Sequence, residues 1–322
     1  MVLIGTWNLE NLFQPGGEFG PKDQATYDAK LDAMAATILA EAPDVLGVQE
    51  VGDPAALADL AARLGPSWQS VTAQHFEDDH PIRVGVLSRR PVQVSAEQVD
   101  LPPLLTPVRI GDRPEDTTTS MGRGALTVQF DGDQGTPVTL VVCHLKSKLL
   151  HFPPTASGRP RFNPHDEGER ARYTAYALLQ RAAEATAVRG LVDTLLAGHG
   201  TERAVIVLGD LNDEPGAATT QLLLGPPGSE LGTSGFSHPD KGDAWRLWNL
   251  ATLIPEVDRY SRVFEGHHEL IDHILVSHLA VHAVGDVQAV HTAALPSVTE
   301  DPTTRRDAPA SDHSPLFASL EL

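Results

Sequence analysis

Six short segments of the sequence place acidic, amide or imidazole side chains directly beside an apolar run typical of a β-strand. They are Thr6-Trp7-Asn8-Leu9-Glu10, Val48-Gln49-Glu50, Cys143-His144-Leu145-Lys146-Ser147, Leu208-Gly209-Asp210-Leu211-Asn212-Asp213, Ile271-Asp272-His273-Ile274-Leu275 and Ser311-Asp312-His313-Ser314-Pro315. Burying charge at a strand end costs free energy unless the group is paired or binds a metal ion. The recurrence along one chain therefore favours a shared function over ordinary turn or cap residues.

The elements that carry these segments alternate between helix and strand signals. The spacing of apolar residues predicts helices over 27–41 and 54–64, and an Ala- and Leu-rich helix over 167–196. Strands are predicted at 2–7, 44–50, 67–73, 82–88, 125–130, 138–144, 204–209, 270–277 and 316–320. Hairpin-like runs accompany this alternation, so the pattern predicts an α/β fold with mixed sheets around a core and helices outside.

The length of 322 residues permits one large domain or two small ones. Neither an internal repeat nor a long linker divides the chain, so one domain over 1–322 is the simpler prediction. No apolar run approaches the roughly 20 residues of a membrane helix, and no secretion signal is visible. The single cysteine, Cys143, excludes an internal disulfide. These features predict a cytoplasmic protein with no membrane association and no obligate protein partner.

The overall charge argues against a polyanionic ligand. The net charge is −19 and the pI is about 5.0, so the surface as a whole repels nucleic acid. A bound divalent cation would reverse the local field, and residues 146–172 are locally basic. The cations of this segment are Lys146, Lys148, Arg159, Arg161, Arg170 and Arg172. The sequence leaves open whether the segment contacts substrate or is a solvated surface.

In chain order, the motifs Trp7-Asn8, Gln49-Glu50, His144-Leu145-Lys146-Ser147, Gly209-Asp210-Leu211-Asn212, Ile271-Asp272 and Ser311-Asp312-His313 resemble the signature motifs of the endonuclease/exonuclease/phosphatase superfamily. The resemblance spans the chain from Asn8 to His313. It implies a four-layer α/β sandwich of two packed mixed β-sheets flanked by helices, as in deoxyribonuclease I, with the site at one edge of the sheets. It also implies hydrolysis of a phosphoester by an activated water, with Mg²⁺ or Mn²⁺ as the cofactor.

The metal ligands follow from the resemblance together with the chemistry of the side chains. Mg²⁺ prefers carboxylate oxygen and keeps several waters, so one or two acids suffice as direct ligands. Glu50 is the best candidate ligand, and Glu10 and Asp312 are expected nearby. Asn8 and Asn212 can donate amide hydrogen bonds to phosphate oxygens without adding charge.

The remaining roles concern proton transfer. Asp210 resembles the family acid that orients or deprotonates the attacking water. Asp272 resembles the acid that pairs with His313, which would fix the tautomer of the imidazole and raise its pKa. His144 favours the deoxyribonuclease I-like or sphingomyelinase-like branch over the exonuclease III branch. An imidazolium at His144 could protonate the leaving oxygen.

Two cations are expected to bind the substrate. Arg123, in Met121-Gly122-Arg123-Gly124, resembles a phosphate-contacting arginine that precedes a strand, and Lys146 belongs to the His144 motif. The leading hypothesis is a metal-dependent nuclease with nucleic acid as substrate. The alternatives are a phosphodiesterase or phosphatase for lipid headgroups or small phosphorylated metabolites, and a non-catalytic binding module, although the sequence lacks none of the expected ligands.

Overall fold

The computed structural model describes residues 1–77, 80–155, 161–228, 230–233, 235–292, 294–299 and 302–322, without the side chains of residues 302 and 303. In chain order the helices and strands are β1 (Val2–Leu12), α1 (Gln24–Glu41), β2 (Val45–Val51), α2 (Pro54–Leu64), β3 (Gln69–Thr72), β4 (Arg83–Ser88), β5 (Gln93–Asp100), β6 (Val108–Arg109), β7 (Thr117–Thr118), β8 (Ser120–Asp131), β9 (Pro137–His144), α3 (Glu167–Leu196), β10 (Ala204–Asp210), α4 (Ala218–Leu224), β11 (Leu247–Asn249), β12 (Arg262–Phe264), β13 (His267–Glu269), β14 (Asp272–Ser277), α5 (His278–Val281), β15 (Val284–Ala289), β16 (Ser297–Val298) and β17 (Leu316–Leu320). Short 3-10 helices cover Leu250–Leu253, Glu256–Asp258 and Pro302–Arg305.

Two large sheets are built on the same plan. The first has the strand order β15-β17-β1-β2-β4-β3, and the second has the order β11-β14-β10-β9-β8-β5. In each sheet the two central strands are parallel, β1 with β2 and β10 with β9. Their outer neighbours β17, β4, β14 and β8 run antiparallel to them. Both sheets are therefore mixed, as the sequence predicts.

Alternation along each central strand divides its side chains between two cores, because successive residues of a strand point to opposite faces. On β10, Ile206 and Leu208 face the core between the sheets, while Val205 and Val207 face helix α3. The outer face of the first sheet packs in the same way against α1 and α2. The layers are thus helices, sheet, sheet and helices, which confirms the four-layer sandwich.

At one point a glycine lets the two sheets pack close together. A Cβ atom at Gly47 of β2 would lie 2.3 Å from Leu208 Cδ1 and 2.9 Å from Val142 Cγ2. Separations below about 3 Å do not occur for real Cβ atoms, so a larger residue would push the sheets apart. Gly47 lies two residues before Gln49, and this close contact holds the two sheets together near their polar edge.

Several predicted elements match the structure closely. The helix predictions over 54–64 and 167–196 coincide with α2 and α3, and the first helix begins three residues earlier than predicted, at Gln24. Asp23 caps that helix by accepting a hydrogen bond from the backbone N–H of Thr26 at 2.8 Å. Strand β5 was not predicted, because its mostly exposed and polar residues lack an apolar pattern. No helix in the described part of the chain is long and apolar enough to cross a membrane.

Candidate active site

Topology brings the six polar segments to one edge of the two sheets. The parallel strands β1, β2, β9 and β10 contribute their carboxyl ends, and the antiparallel strands β14 and β17 contribute their amino ends to the same edge. In register, Asp210 of β10 lies beside His144 on one side and Asp272 on the other. The segment with Asp312 and His313 comes directly before β17. The site therefore spans both sheets.

Backbone bulges aim the side chains of the first sheet. The register between β1 and β2 shifts after Asn8, and β2 shifts against β4 after Val48. Within these irregular stretches Glu10, Asn11 and Glu50 have φ values of 47°, 56° and 59°. Residues other than glycine rarely adopt this left-handed conformation, and where they do it is often at a functional site. The strain supports the assignment of this edge as the site.

Asn8 connects two carboxylates from different sheets. Its Nδ2 donates to Glu50 Oε1 at 3.1 Å and to Asp210 Oδ2 at 2.9 Å, while its Oδ1 accepts from the backbone N–H of Glu10 at 2.9 Å. Glu50 Oε2 accepts from the backbone N–H of Asn11 at 2.9 Å. Both amide protons of Asn8 are thus engaged by carboxylates, whereas the sequence assigned them to phosphate oxygens.

Asp210, Asp272 and His313 form the buried centre of the site. His313 Nδ1 lies 2.7 Å from Asp272 Oδ2, and its Nε2 lies 4.0 Å from Asp210 Oδ2. Burial opposes the charged imidazole, but Asp272, Asp312 and Asp210 together raise the pKa of His313 to about 10. Burial and the nearby Asp272 raise the pKa of Asp210 to about 7. His313 is therefore an imidazolium at neutral pH, held by Asp272 as the sequence predicts.

Ser261 supports the backbone on both sides of the Asp272–His313 pair, and the sequence analysis missed it. Its buried Oγ accepts the backbone N–H groups of Ile271 and Asp272, both at 3.2 Å, and its carbonyl accepts the N–H of Ser314 at 2.8 Å. The residue therefore joins the strand of Asp272 to the segment of His313. A lone serine far from the motifs carries no sequence signal for this role, because its partners are defined only by the fold.

The donor set fits a hard divalent cation. Ligand atoms of Asp210, Asp272 and His313 all lie within 4.8 Å of one another, but a protonated His313 offers no lone pair, so the carboxylates are the donors. Asp272 Oδ1 has no hydrogen-bond partner among the described residues. Glu50 accepts only amide N–H groups in the hydrogen bonds described above. Mg²⁺ or Mn²⁺ would stabilise several carboxylates gathered at one place, especially an oxygen such as Asp272 Oδ1 that no donor occupies. Such an ion would neutralise charge on the phosphoryl group.

Glu10, expected as a metal ligand, forms an ion pair in the structure. Arg305 binds both of its carboxylate oxygens, with Nε at 2.6 Å from Oε1 and Nη2 at 2.7 Å from Oε2. The backbone N–H of Asp312 also donates to Oε2 at 2.9 Å. Coordination of a metal by Glu10 would require breaking this two-pronged ion pair, so the structure favours an anchoring role. Asp312 remains closer to the centre, 4.0 Å from His313 Nε2 and 3.6 Å from Arg262 Nε.

A second group of residues is cationic and lies on β8, β9 and the segment that follows β9. The Arg123 side chain is buried, and its Nε and Nη1 have no hydrogen-bond partner among the described residues. His144 Nε2 lies 3.6 Å from Asp210 Oδ2, on the opposite strand edge from Asp272. Burial and Arg123 lower the pKa of Lys146 to about 8. An unpartnered buried guanidinium beside an amine predicts an anionic ligand.

The charge state of His144 differs from the imidazolium expected from the sequence. Burial and the cations around it, Arg123 first among them, lower the pKa of His144 well below its usual value, and its Nδ1 has no partner among the described residues. The neutral imidazole is therefore the favoured form of His144 in this structure.

Two further residues connect the halves of the site. Asn212 donates its Nδ2 to the carbonyl of Leu145 at 3.0 Å, which ties the end of β10 to the His144 segment. Glu77 was not predicted. Although burial acts in the opposite direction, Arg123 and Lys146 lower the pKa of Glu77, so it stands close to the cationic group as an acid. Glu77 belongs to none of the six polar segments, so its position in the sequence carries no signal for the site.

The basic segment is largely neutralised by its own neighbours. Four cations of the segment each have an acidic partner within 3.3 Å. The pairs are Lys148 with Glu269 at 3.3 Å, Arg161 with Glu169 at 2.6 Å, Arg170 with Glu167 at 3.2 Å and Arg172 with Asp112 at 3.2 Å. Arg159 lies outside the described residues. Lys146 lies near Arg123. The side chains of Lys148, Arg170 and Arg172 are exposed, so the solvated-surface interpretation fits these three cations.

Comparison with known proteins agrees with this geometry. A model of the Endonuclease/Exonuclease/phosphatase family matches residues 5–313, and the chain belongs to this family. Members of the family hydrolyse phosphoester bonds and generally depend on divalent metal. A sequence comparison with curated proteins found no match.

Solved structures share the fold at low sequence identity. A mannosyl-6-phosphatase of Bacteroides thetaiotaomicron is 15% identical with a TM-score of 0.58, over 100% of both chains. The human Nocturnin catalytic domain with bound sulfate is 16% identical with a TM-score of 0.55, over 98% of this chain and 93% of the other. A 3'-5' exonuclease of Neisseria meningitidis is 18% identical with a TM-score of 0.53, over 100% of both chains. These likenesses establish the fold, and their substrates differ.

Proposed function

We propose that this protein is a divalent-metal-dependent nuclease that hydrolyses phosphodiester bonds of nucleic acid with an activated water. The observation that carries the proposal is the buried Arg123 guanidinium with two unpartnered nitrogens, close to an edge that is otherwise rich in carboxylates. A phosphate group would satisfy the guanidinium, while Mg²⁺ or Mn²⁺ held by the acidic residues would offset their negative charge.

The residues around Asp210 divide the work of hydrolysis. Asp210 would orient the attacking water or accept its proton, because it lies between the imidazoles of His144 and His313. Its pKa of about 7 suits a group that takes up a proton near neutral pH. The His313 imidazolium would stabilise charge on the phosphoryl oxygens. His144, on the other side of Asp210, would assist the leaving sugar oxygen. A sugar alkoxide leaves poorly, so a diester between sugars needs such assistance.

A specific observation favours a second candidate, a phosphodiesterase or phosphatase for lipid headgroups or small phosphorylated metabolites. The basic segment is mostly paired with acids, and the net charge is −19. A protein with few free cations outside its site lacks the extended positive surface that nucleic-acid binding commonly uses. A small substrate would need only the cations of the site itself.

One substrate panel separates the two candidates. The purified full chain is incubated with circular DNA, linear DNA, RNA, a glycerophosphodiester and a sugar monophosphate, each with Mg²⁺, Mn²⁺ or a chelator. Metal-dependent cleavage of a nucleic acid supports the nuclease. Turnover of only the small esters selects the second candidate. An Asp210→Asn variant, expected to be inactive on every substrate, controls for contaminating nucleases.

A further inference from the structure

Glu184 is a carboxylate that helix α3 carries into the protein interior, and the proposed hydrolysis does not use it. The side chain is completely buried. A buried carboxylate costs free energy unless donors surround it. Glu184 Oε1 accepts from the backbone N–H of Gly122 at 3.0 Å and from Gln180 Nε2 at 3.2 Å, and its Oε2 accepts from the backbone N–H of Lys146 at 2.6 Å. Two of the three donors thus belong to the cationic part of the site.

These two backbone donors lie beyond the last residues that β8 and β9 pair with each other. The ladder between β8 and β9 ends at the pair Ala125 and Cys143. Beyond it, Gly122 directly precedes Arg123, and Lys146 follows two residues after His144. Glu184 therefore replaces the missing ladder contacts on both strands at once. On the same helix, Arg181 donates its Nη1 to the carbonyl of Lys146 at 2.9 Å, but of these two side chains only Glu184 contacts the backbone on both sides, at Gly122 and at Lys146.

Glu184 lies near Arg123 without binding its guanidinium. Burial raises the pKa of Glu184, while the backbone N–H of Gly122 and the charge of Arg123 act in the opposite direction, and the carboxylate accepts its hydrogen bonds from backbone N–H groups and from Gln180. Among the described residues nothing accepts a hydrogen bond from Nε or Nη1 of Arg123. A carboxylate that bound the guanidinium directly would block it. The arrangement instead leaves these two buried donors without a protein acceptor.

We propose that Glu184 is the positioning residue of the anion-binding part of the site, which keeps Arg123 and the His144–Lys146 segment in place for a tetrahedral oxyanion. The oxyanion is the phosphate group of the substrate, so this inference rests on the proposed function to that extent. It assigns Glu184 no contact with the substrate. Its effect passes through Arg123 and through the backbone of Gly122 and Lys146.

The test uses Glu184→Gln in the full chain, because the amide has the same shape but presents an NH₂ group to one of the backbone N–H donors. The dissociation constant of inorganic phosphate is measured by competitive inhibition of bis-nitrophenyl phosphate hydrolysis. Loss of one buried hydrogen bond typically costs enough to change an equilibrium about tenfold, so phosphate should bind about tenfold more weakly. An unchanged dissociation constant would overturn the proposal.

A matched control comes from the same helix. Glu169 is also a buried carboxylate of α3, but it pairs with Arg161 away from the site. Glu169→Gln should leave phosphate binding within about twofold, the range of ordinary substitutions away from a site. If Glu169→Gln weakens phosphate binding as much as Glu184→Gln does, the effect reflects the stability of the helix and the proposal is wrong.

A double-mutant cycle tests whether Glu184 acts through Arg123. In an Arg123→Ala background, Glu184→Gln should weaken phosphate binding by less than about twofold, since coupled residues are not additive. Full additivity would show that Glu184 supports the fold in general. If Glu184→Gln does not fold, Gln180→Met removes the third donor to Glu184 together with the hydrogen bond that Gln180 gives to Glu77. Weaker phosphate binding with an unchanged melting temperature then supports the proposal. Unchanged phosphate binding by a folded Gln180→Met would contradict it.

The proposed function fails separately from this inference. A parent protein that neither binds phosphate nor hydrolyses any phosphoester contradicts the function itself. A parent that does both, while Glu184→Gln behaves like the parent, contradicts only the role of Glu184.

Discussion

The acidic and cationic parts of the site are held in different ways. The acidic part draws Asn8 and Glu50 from one sheet and Asp210 and Asp272 from the other, and Asn8 bridges the sheets directly. Its charges are held by side chains that donate between the carboxylates. The cationic part lies on one sheet, and a helix fixes its backbone. In the acidic part, the amide of Asn8 donates to two carboxylates and so holds like charges together. In the cationic part, Glu184 binds the backbone and not the cationic side chains, which leaves the Arg123 donors without a protein acceptor.

The largest effect is expected at His313, in the acidic part. His313→Ala should lower kcat by about 10³-fold or more on every substrate, because the proposed function places the His313 imidazolium, held between Asp210 and Asp272, at the phosphoryl group whatever the leaving group. The measurement compares kcat on nucleic acid and on bis-nitrophenyl phosphate, with the melting temperature as a check on folding. His199→Ala, an exposed histidine that pairs with Glu202, is the control and should stay within about twofold. A loss below tenfold on either ester would remove His313 from the centre.

The next effect depends on the substrate and tests the cationic part. His144→Ala should lose about 10²- to 10⁴-fold on nucleic acid, where the sugar oxygen gains from protonation in the transition state. Nitrophenolate leaves without help, so the loss on bis-nitrophenyl phosphate should be much smaller. Equal losses on both esters would show that the neutral His144 only donates a hydrogen bond to phosphate. The parent must hydrolyse both substrates measurably for the comparison.

Metal binding should distinguish two acids of the acidic part, Glu50 and Glu10. Millimolar Mg²⁺ or Mn²⁺ should raise the melting temperature of the parent by several degrees, because an ion at 100 times its dissociation constant adds about 2.7 kcal/mol when it binds only the folded state. Glu50→Gln should lose most of this increase and weaken metal binding in calorimetry. Glu10→Gln should instead lower the melting temperature without metal, since it breaks the pair with Arg305, and keep the increase. The reverse pattern would return the metal-ligand role to Glu10.

The smallest effect is expected in the basic segment. Arg172→Gln should change activity on nucleic acid by less than about twofold, because the guanidinium already binds the Asp112 carboxylate. The slope of affinity against salt concentration should also stay the same, whereas loss of a phosphate contact would reduce it by about one. A reduced slope would make this segment part of the substrate surface.

The sequence predicted the residues of the site better than their contacts. The six polar segments all reach the same edge, because each follows or precedes a strand whose direction the fold sets. The roles of Glu10 and Asn8 changed because Arg305 and Asp210 are distant along the chain. Glu77 and Glu184 were missed for the same reason. Nothing local marks a residue whose partners lie 38 or more positions away, as those of Glu184 in the backbone do.

The sequence by itself determined the helices α2 and α3, the central strands and the family, because apolar spacing and short motifs are local properties. The charge states of the histidines, and the contacts that Ser261 and Glu184 make with the backbone of the site, were decided only by tertiary structure. Burial lowers the pKa of His144 while Asp272 and its neighbours raise that of His313, although the two imidazoles have the same ordinary value. The physical reason is that desolvation and coulombic energy depend on distances across the fold, and these are set only when the two sheets pack together.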